Sequence, residues 1–97
     1  MGDTFWVYIM TNKTRTVLYT GMTNDLTRRV WEHRHPTGTG FAARYSCNRL
    51  VYCDSFPTAL DAIAAEKRIK GWQRIKKDTL IWERNPNWND LAEDWYD

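Results

Sequence analysis

Apolar residues come first in two short runs and later at helical spacing, and that change divides the chain. Phe5-Trp6-Val7-Tyr8-Ile9-Met10 and Thr16-Val17-Leu18-Tyr19-Thr20-Gly21 are aromatic and β-branched, and the polar stretch Thr11-Asn12-Lys13-Thr14-Arg15 joins them. Two such runs across a short polar connection predict a β-hairpin. Thr23-Asn24-Asp25 then offers a helix N-cap, and the helix runs from Leu26 through Arg34 to end near His35-Pro36. Leu26, Val30 and His33 share one of its faces.

Pro36, Gly38 and Gly40 predict a loop over 36–47, with a short helical turn at Ala42-Ala43-Arg44. Arg49 to Phe56 reads as a third strand. Pro57-Thr58 opens a second long helix, with Thr58 and Asp61 spaced as a capping box, and it continues through Lys70. Gly71 ends it, a further helix spans Gln73 to Glu83, and Asn85-Pro86-Asn87 stops that one. The tail, 88–97, is expected to dock by Trp88, Leu91 and Trp95. The order β-β-α-β-α-α predicts an α+β fold, a small three-stranded sheet, antiparallel or mixed, flanked by helices. The expectation is one domain over 1–97, with a core of about 5–84 and an acidic tail over 85–97.

With 97 residues, 42% hydrophobic and 27% charged, the chain has the composition of a folded domain with one core. Six tryptophans supply large apolar area, and some can stack on a ligand or base. No run reaches bilayer-spanning length, and Met1-Gly2-Asp3-Thr4 lacks the features of a signal peptide or myristoylation site, so a cytoplasmic location is expected. Cys47 and Cys53, with His33 and His35, fit no zinc spacing; two reduced, packed thiols are expected, with a disulfide left open. All 14 Lys and Arg precede residue 85, where eight acids leave the body at +6, while Asp90, Glu93, Asp94 and Asp97 make the tail −4. A basic body suits a polyanion or is simply a solvated surface.

Ala59, Ala62, Ile63, Glu66 and Ile69 fall on one helical stripe. A carboxylate there is costly unless it holds a cation or an ion-pair partner such as Arg29, and both readings stand. Lys67, Lys70, Arg74 and Lys77, with Arg68 and Lys76 beside them, would line one face if the helix continued across Gly71. Such a stripe suits backbone phosphates, or is a solvated lysine-rich helix. Arg44-Tyr45-Ser46 could add charge and stacking to a bound strand.

Val7-Tyr8-Ile9 on the first strand and Tyr19-Thr20-Gly21 on the second resemble the two-part signature of the GIY-YIG nuclease superfamily. Val7 stands where the name has glycine and Thr20 where it has isoleucine. Arg29 follows the second tyrosine by the family's ten positions, His33 lies one turn later, and Glu66 fits the later metal-binding glutamate. The stretches 66–72 and 85–91 look most like small, stand-alone bacterial members. The resemblance implies a Mg²⁺- or Mn²⁺-dependent endonuclease on DNA, leaving 5′-phosphate and 3′-hydroxyl ends. It implies Tyr8 as general base, Tyr19 in binding, Arg29 on the scissile phosphate, His33 orienting or deprotonating a tyrosine or the water, and Glu66 as metal ligand. Gly21 is expected to allow a sharp turn into the helix. The chain carries no recognisable helix-turn-helix, finger or basic zipper, so recognition is expected to follow nucleic-acid shape or a protein partner. The alternative is a nucleic-acid-binding module, or a targeted subunit of a DNA repair or recombination complex, with little cleavage of its own.

Overall fold

The computed structural model describes residues 4–37 and 40–96. Met1–Asp3, Gly38, Thr39 and Asp97, read above as parts of the leading segment, the glycine-containing loop and the acidic tail, lie outside the described residues. The strands are β1 (Phe5–Thr11), β2 (Leu18–Thr23) and β3 (Arg49–Phe56); the helices are α1 (Leu26–Arg34), α2 (Phe41–Arg44), α3 (Ala59–Lys70) and α4 (Arg74–Arg84). The sheet is antiparallel with order β2-β1-β3. This is the expected α+β order with the single-turn α2 inserted.

β1 reads as an unbroken apolar run because it is central and covered on both sides. Tyr8 and Met10 pack with Leu26 and Val30 of α1, Cys47, Leu50 and Ala92. Val7 and Ile9 pack instead with Ala62, Ala65 and Ile69 of α3 and Ile81 of α4. A strand buried on one face only would alternate apolar and polar.

The start of β2 moved for a local reason, whereas the caps of α1 and α3 stand where the sequence places them. β2 begins at Leu18 because Asn12 turns the preceding chain: its Oδ1 accepts from the Thr16 and Val17 amides at 2.9 and 3.1 Å. The N-cap of α1 is Asp25, whose carboxylate accepts from the Arg28 amide, and that of α3 is Thr58, accepting from Asp61. On α3 the fully buried stripe is Ala62, Ala65 and Ile69, while Ile63 and Glu66 are half-buried at its side. Gly21 is not a turn residue: it lies inside β2, opposite Tyr8, with no left-handed φ.

The tail docks differently from expectation. Trp88 packs on the core, but Leu91 and Trp95 are exposed. Ala92 is the buried anchor, and the Asp90 carboxylate binds Arg34 and accepts from the Leu50 and Ala92 amides. Trp88 docks as expected, while beyond it Ala92, Tyr96 and the Asp90 carboxylate hold the segment in place of Leu91 and Trp95. Cys47 and Cys53 are free thiols, and no helix among the described residues is long and apolar enough to cross a membrane.

Candidate active site

The register of the hairpin builds the floor of the site. Tyr8 pairs with Gly21 and Met10 with Tyr19, so Tyr8, Tyr19 and Gly21 share the face that α1 covers. Gly21 leaves room for the Tyr8 ring: a Cβ there would lie 2.5 Å from the Tyr8 hydroxyl oxygen and 2.9 Å from the Tyr19 ring. The glycine is thus required by close approach, not by backbone conformation. α1 adds Arg29 and His33 one turn apart, His33 inward beside Leu26 and Val30, and Arg29 toward solvent.

These side chains form one hydrogen-bonded chain. The Tyr8 hydroxyl lies 3.0 Å from His33 Nε2, and Arg29 Nε donates to the same oxygen at 3.4 Å. Burial, assisted by the Arg29 charge, pushes the His33 imidazole down to about 4, so it is neutral near pH 7. Burial pushes the Tyr8 phenol up to about 12, with the Tyr19 and Glu66 charges in the same direction and Arg29 opposing. The guanidinium, raised chiefly by its hydrogen bond to Tyr8, stays charged. Arg29 donates to the Tyr8 oxygen, which leaves the hydroxyl proton available to His33 Nε2 whenever the imidazole carries its own proton on Nδ1. Tyr19 packs edge-on against His33, ring centroids 5.0 Å apart.

Tyr19, Arg29 and His33 open into a cleft of about 260 Å³, with Glu32 and Phe41 on its walls. Tyr8 is fully buried and forms no part of that lining, so its hydroxyl sits beneath Arg29 and His33. Glu32 pairs with Arg29 at 3.3 Å and with Arg28 at 3.6 Å, and both Glu32 and Arg29 also border a neighbouring polar pocket. The sequence showed Glu32 only as a neighbour of Arg29, although its spacing from both arginines already predicted these pairs. Phe41, at the cleft wall, gave no signal because it stood in a loop.

Glu66 pairs with Lys70 at 3.3 Å and keeps 20% of its side chain exposed. Arg29 pairs instead with Glu32, so the alternative of a buried Glu66–Arg29 pair is not what forms. Among the described residues no three His, Cys, Asp or Glu side chains gather as a closed metal cage. One accessible carboxylate suits a hard cation such as Mg²⁺ or Mn²⁺ that keeps most of its waters; it does not suit zinc. Glu66 is not among the residues lining the cleft, although its charge is felt at the Tyr8 phenol, and to hold such a cation it would have to release Lys70.

The basic residues do not make one stripe. Gly71 closes α3 and α4 starts afresh at Arg74. Arg74 binds Asp78 and donates to the Arg15 and Thr16 carbonyls at 2.6 and 2.9 Å, bracing the hairpin loop. Lys77 is half-buried, and Lys76 lies over the Trp72 ring. Lys67 and Arg68 remain exposed on α3, Lys70 sits on Glu66, and Arg44 is exposed on α2 beside Tyr45.

A three-stranded sheet presenting two tyrosines and a glycine against an arginine–histidine helix defines a family, and the GIY-YIG catalytic domain matches residues 4–78. The chain belongs to the GIY-YIG family. A UPF0213 protein of Haloquadratum walsbyi is 36% identical over 86% of this chain and 92% of its own length. One from Staphylococcus saprophyticus is 33% identical over 84% and 98%. The solution NMR structure of a UPF0213 protein from Bacillus halodurans matches with TM-score 0.59 and 27% identity, covering 94% of this chain and 97% of that one.

Proposed function

We propose that this chain is a metal-dependent endonuclease that hydrolyses phosphodiester bonds in DNA, directed by nucleic-acid shape more than by sequence. The observation that carries this reading is the chain Arg29–Tyr8–His33 beneath an open cleft. It joins a permanent cation for a phosphate to a path for a proton.

Arg29 leaves Glu32 and turns its planar fork onto the scissile phosphate, and the same movement uncovers the Tyr8 hydroxyl. The attacking water gives its proton to Tyr8 as Tyr8 gives its own to His33 Nε2. The proton ends on the imidazole, and the phenolate is never free. Tyr19 holds His33 and the sugar-phosphate backbone in place. A divalent cation held by Glu66 would supply charge at the departing oxygen. Arg44, Lys67, Arg68 and Lys70 contact flanking phosphates, and Lys77 adds charge at the edge. The departing 3′ oxygen takes a proton from solvent, the imidazolium later returns its own to solvent, and the products carry 5′-phosphate and 3′-hydroxyl ends. Residues 1–97 act as one unit in the cytoplasm, and a protein partner or the shape of a repair intermediate supplies targeting.

The test is incubation of labelled single-stranded, duplex, flapped and branched DNA, and a matched RNA, with Mg²⁺, Mn²⁺ or EDTA. Metal-dependent cuts in DNA support the reading and rank the substrates. Salt-sensitive binding with no cut in any strand overturns it in favour of a binding module.

A further inference from the structure

Phe41, on the wall of the cleft that Arg29 lines, and Tyr45 packed against it outside that lining are two aromatic rings that the chemistry above does not use. Phe41 and Tyr45 stand one turn apart on α2 and its C-cap, their centroids 4.7 Å apart. They are 50% and 40% exposed, although each is large enough to fill core volume. Phe41 lines the cleft and reaches back to Tyr19, centroids 6.2 Å apart. The Arg44 guanidinium lies 5.6 Å above the Tyr45 ring. An exposed aromatic pair with a cation over it, continuous with a phosphate-binding arginine, is the arrangement that takes a flat π system attached to an anion.

We infer that Phe41 and Tyr45 form a stacking platform for one unpaired nucleobase flanking the phosphate held by Arg29. This rests on the nuclease reading and deepens it. A base one sugar away from the phosphate lies on Phe41, and Arg44 meets the next phosphate. A base kept in a duplex stack cannot reach the platform, so the nucleotide comes from a single strand or is turned out of a helix. Because every base has a π face, the platform reads whether a base is free and not which base it is.

The experiment measures binding in EDTA of a fluorescent DNA strand, and of a fully abasic strand of equal length and charge, to the full chain and to Phe41→Ala, Phe41→Leu and Phe41→Trp. Cleavage with Mg²⁺ is run beside it. For the unchanged protein, loss of the bases should weaken binding about tenfold or more. Phe41→Ala should bind the normal strand about tenfold more weakly and respond much less to base removal, the coupling of a mutant cycle. Phe41→Leu keeps apolar cover over Tyr19 and should behave like Phe41→Ala, whereas Phe41→Trp keeps the response. A perfectly paired duplex should be bound equally by all four proteins, and an unpaired nucleotide in it should restore the difference. An unchanged protein indifferent to its bases, or Phe41→Leu binding like the unchanged protein, overturns the platform while cleavage still stands. Absence of both binding and metal-dependent cleavage in the unchanged protein overturns the nuclease reading and the platform together.

Discussion

The Tyr8 hydroxyl lies between a permanent cation and a neutral imidazole, and two consequences can be measured. Folding holds His33 at about 4 against an ordinary 6.5, so its contribution to stability is full above 6.5 and is lost as pH falls toward 4. Urea unfolding across that window should show an acid limb on the order of 2 kcal/mol that His33→Gln flattens. Tyr8 is displaced upward to about 12, so its contribution is full below pH 10 and is lost as pH rises through 12. Gly21→Ala would put a methyl 2.5 Å from that hydroxyl. It should cost about 1–3 kcal/mol in the urea midpoint and, by displacing Tyr8, about 100-fold in cleavage rate. An alanine variant as active and stable as the parent would show that the glycine is incidental.

Among the elements, those set by local rules were legible in advance. The apolar period of α1, the Thr58 cap and the glycine stop of α3 placed both helices, and the two tyrosine-bearing runs placed the hairpin. The start of β2 was not legible, because the side chain of Asn12 takes up the Thr16 and Val17 amides. The role of Gly21 was also hidden, since it depends on a cross-strand neighbour and not on its own backbone. Phe41 and Glu32 became site residues only when the loop and α1 met at one cleft. The tail is the clearest long-range case. Buried Asn85 donates to the Val51 and Asn89 carbonyls at 3.1 and 2.9 Å and accepts from the Asn89 amide, starting the turn that brings Asp90 to Arg34. Asn85→Ala should cost about 2 kcal/mol in unfolding experiments, because it leaves buried backbone groups without partners. A cost near zero would mean that the turn forms without it.

Across the whole molecule, the break at Gly71 that the sequence predicts divides the basic residues between α3 and α4. Arg74 is exposed but held by the hairpin-loop carbonyls and Asp78, whereas Arg44, Lys67 and Arg68 are exposed without such bonds among the described residues. Arg44→Ala and Lys67→Ala should each lower the salt dependence of DNA binding by about one counterion. Arg74→Ala should reduce stability and leave that slope unchanged. The reverse pattern would restore a stripe running across Gly71.

The most direct test of the account is single-turnover cleavage of a bound DNA strand by the parent, Tyr8→Phe, Arg29→Ala and Glu66→Ala, with binding measured for each. Tyr8→Phe should bind within a few-fold of the parent and cleave at least about 100-fold more slowly, since it removes the proton path and the hydroxyl's bonds to Arg29 and His33 but keeps the phosphate-binding charge of Arg29. Arg29→Ala should lose both binding and rate, and Glu66→Ala should lose rate at any Mg²⁺ concentration. Parent-like cleavage by Tyr8→Phe would contradict the central claim that this buried hydroxyl carries the proton from the attacking water.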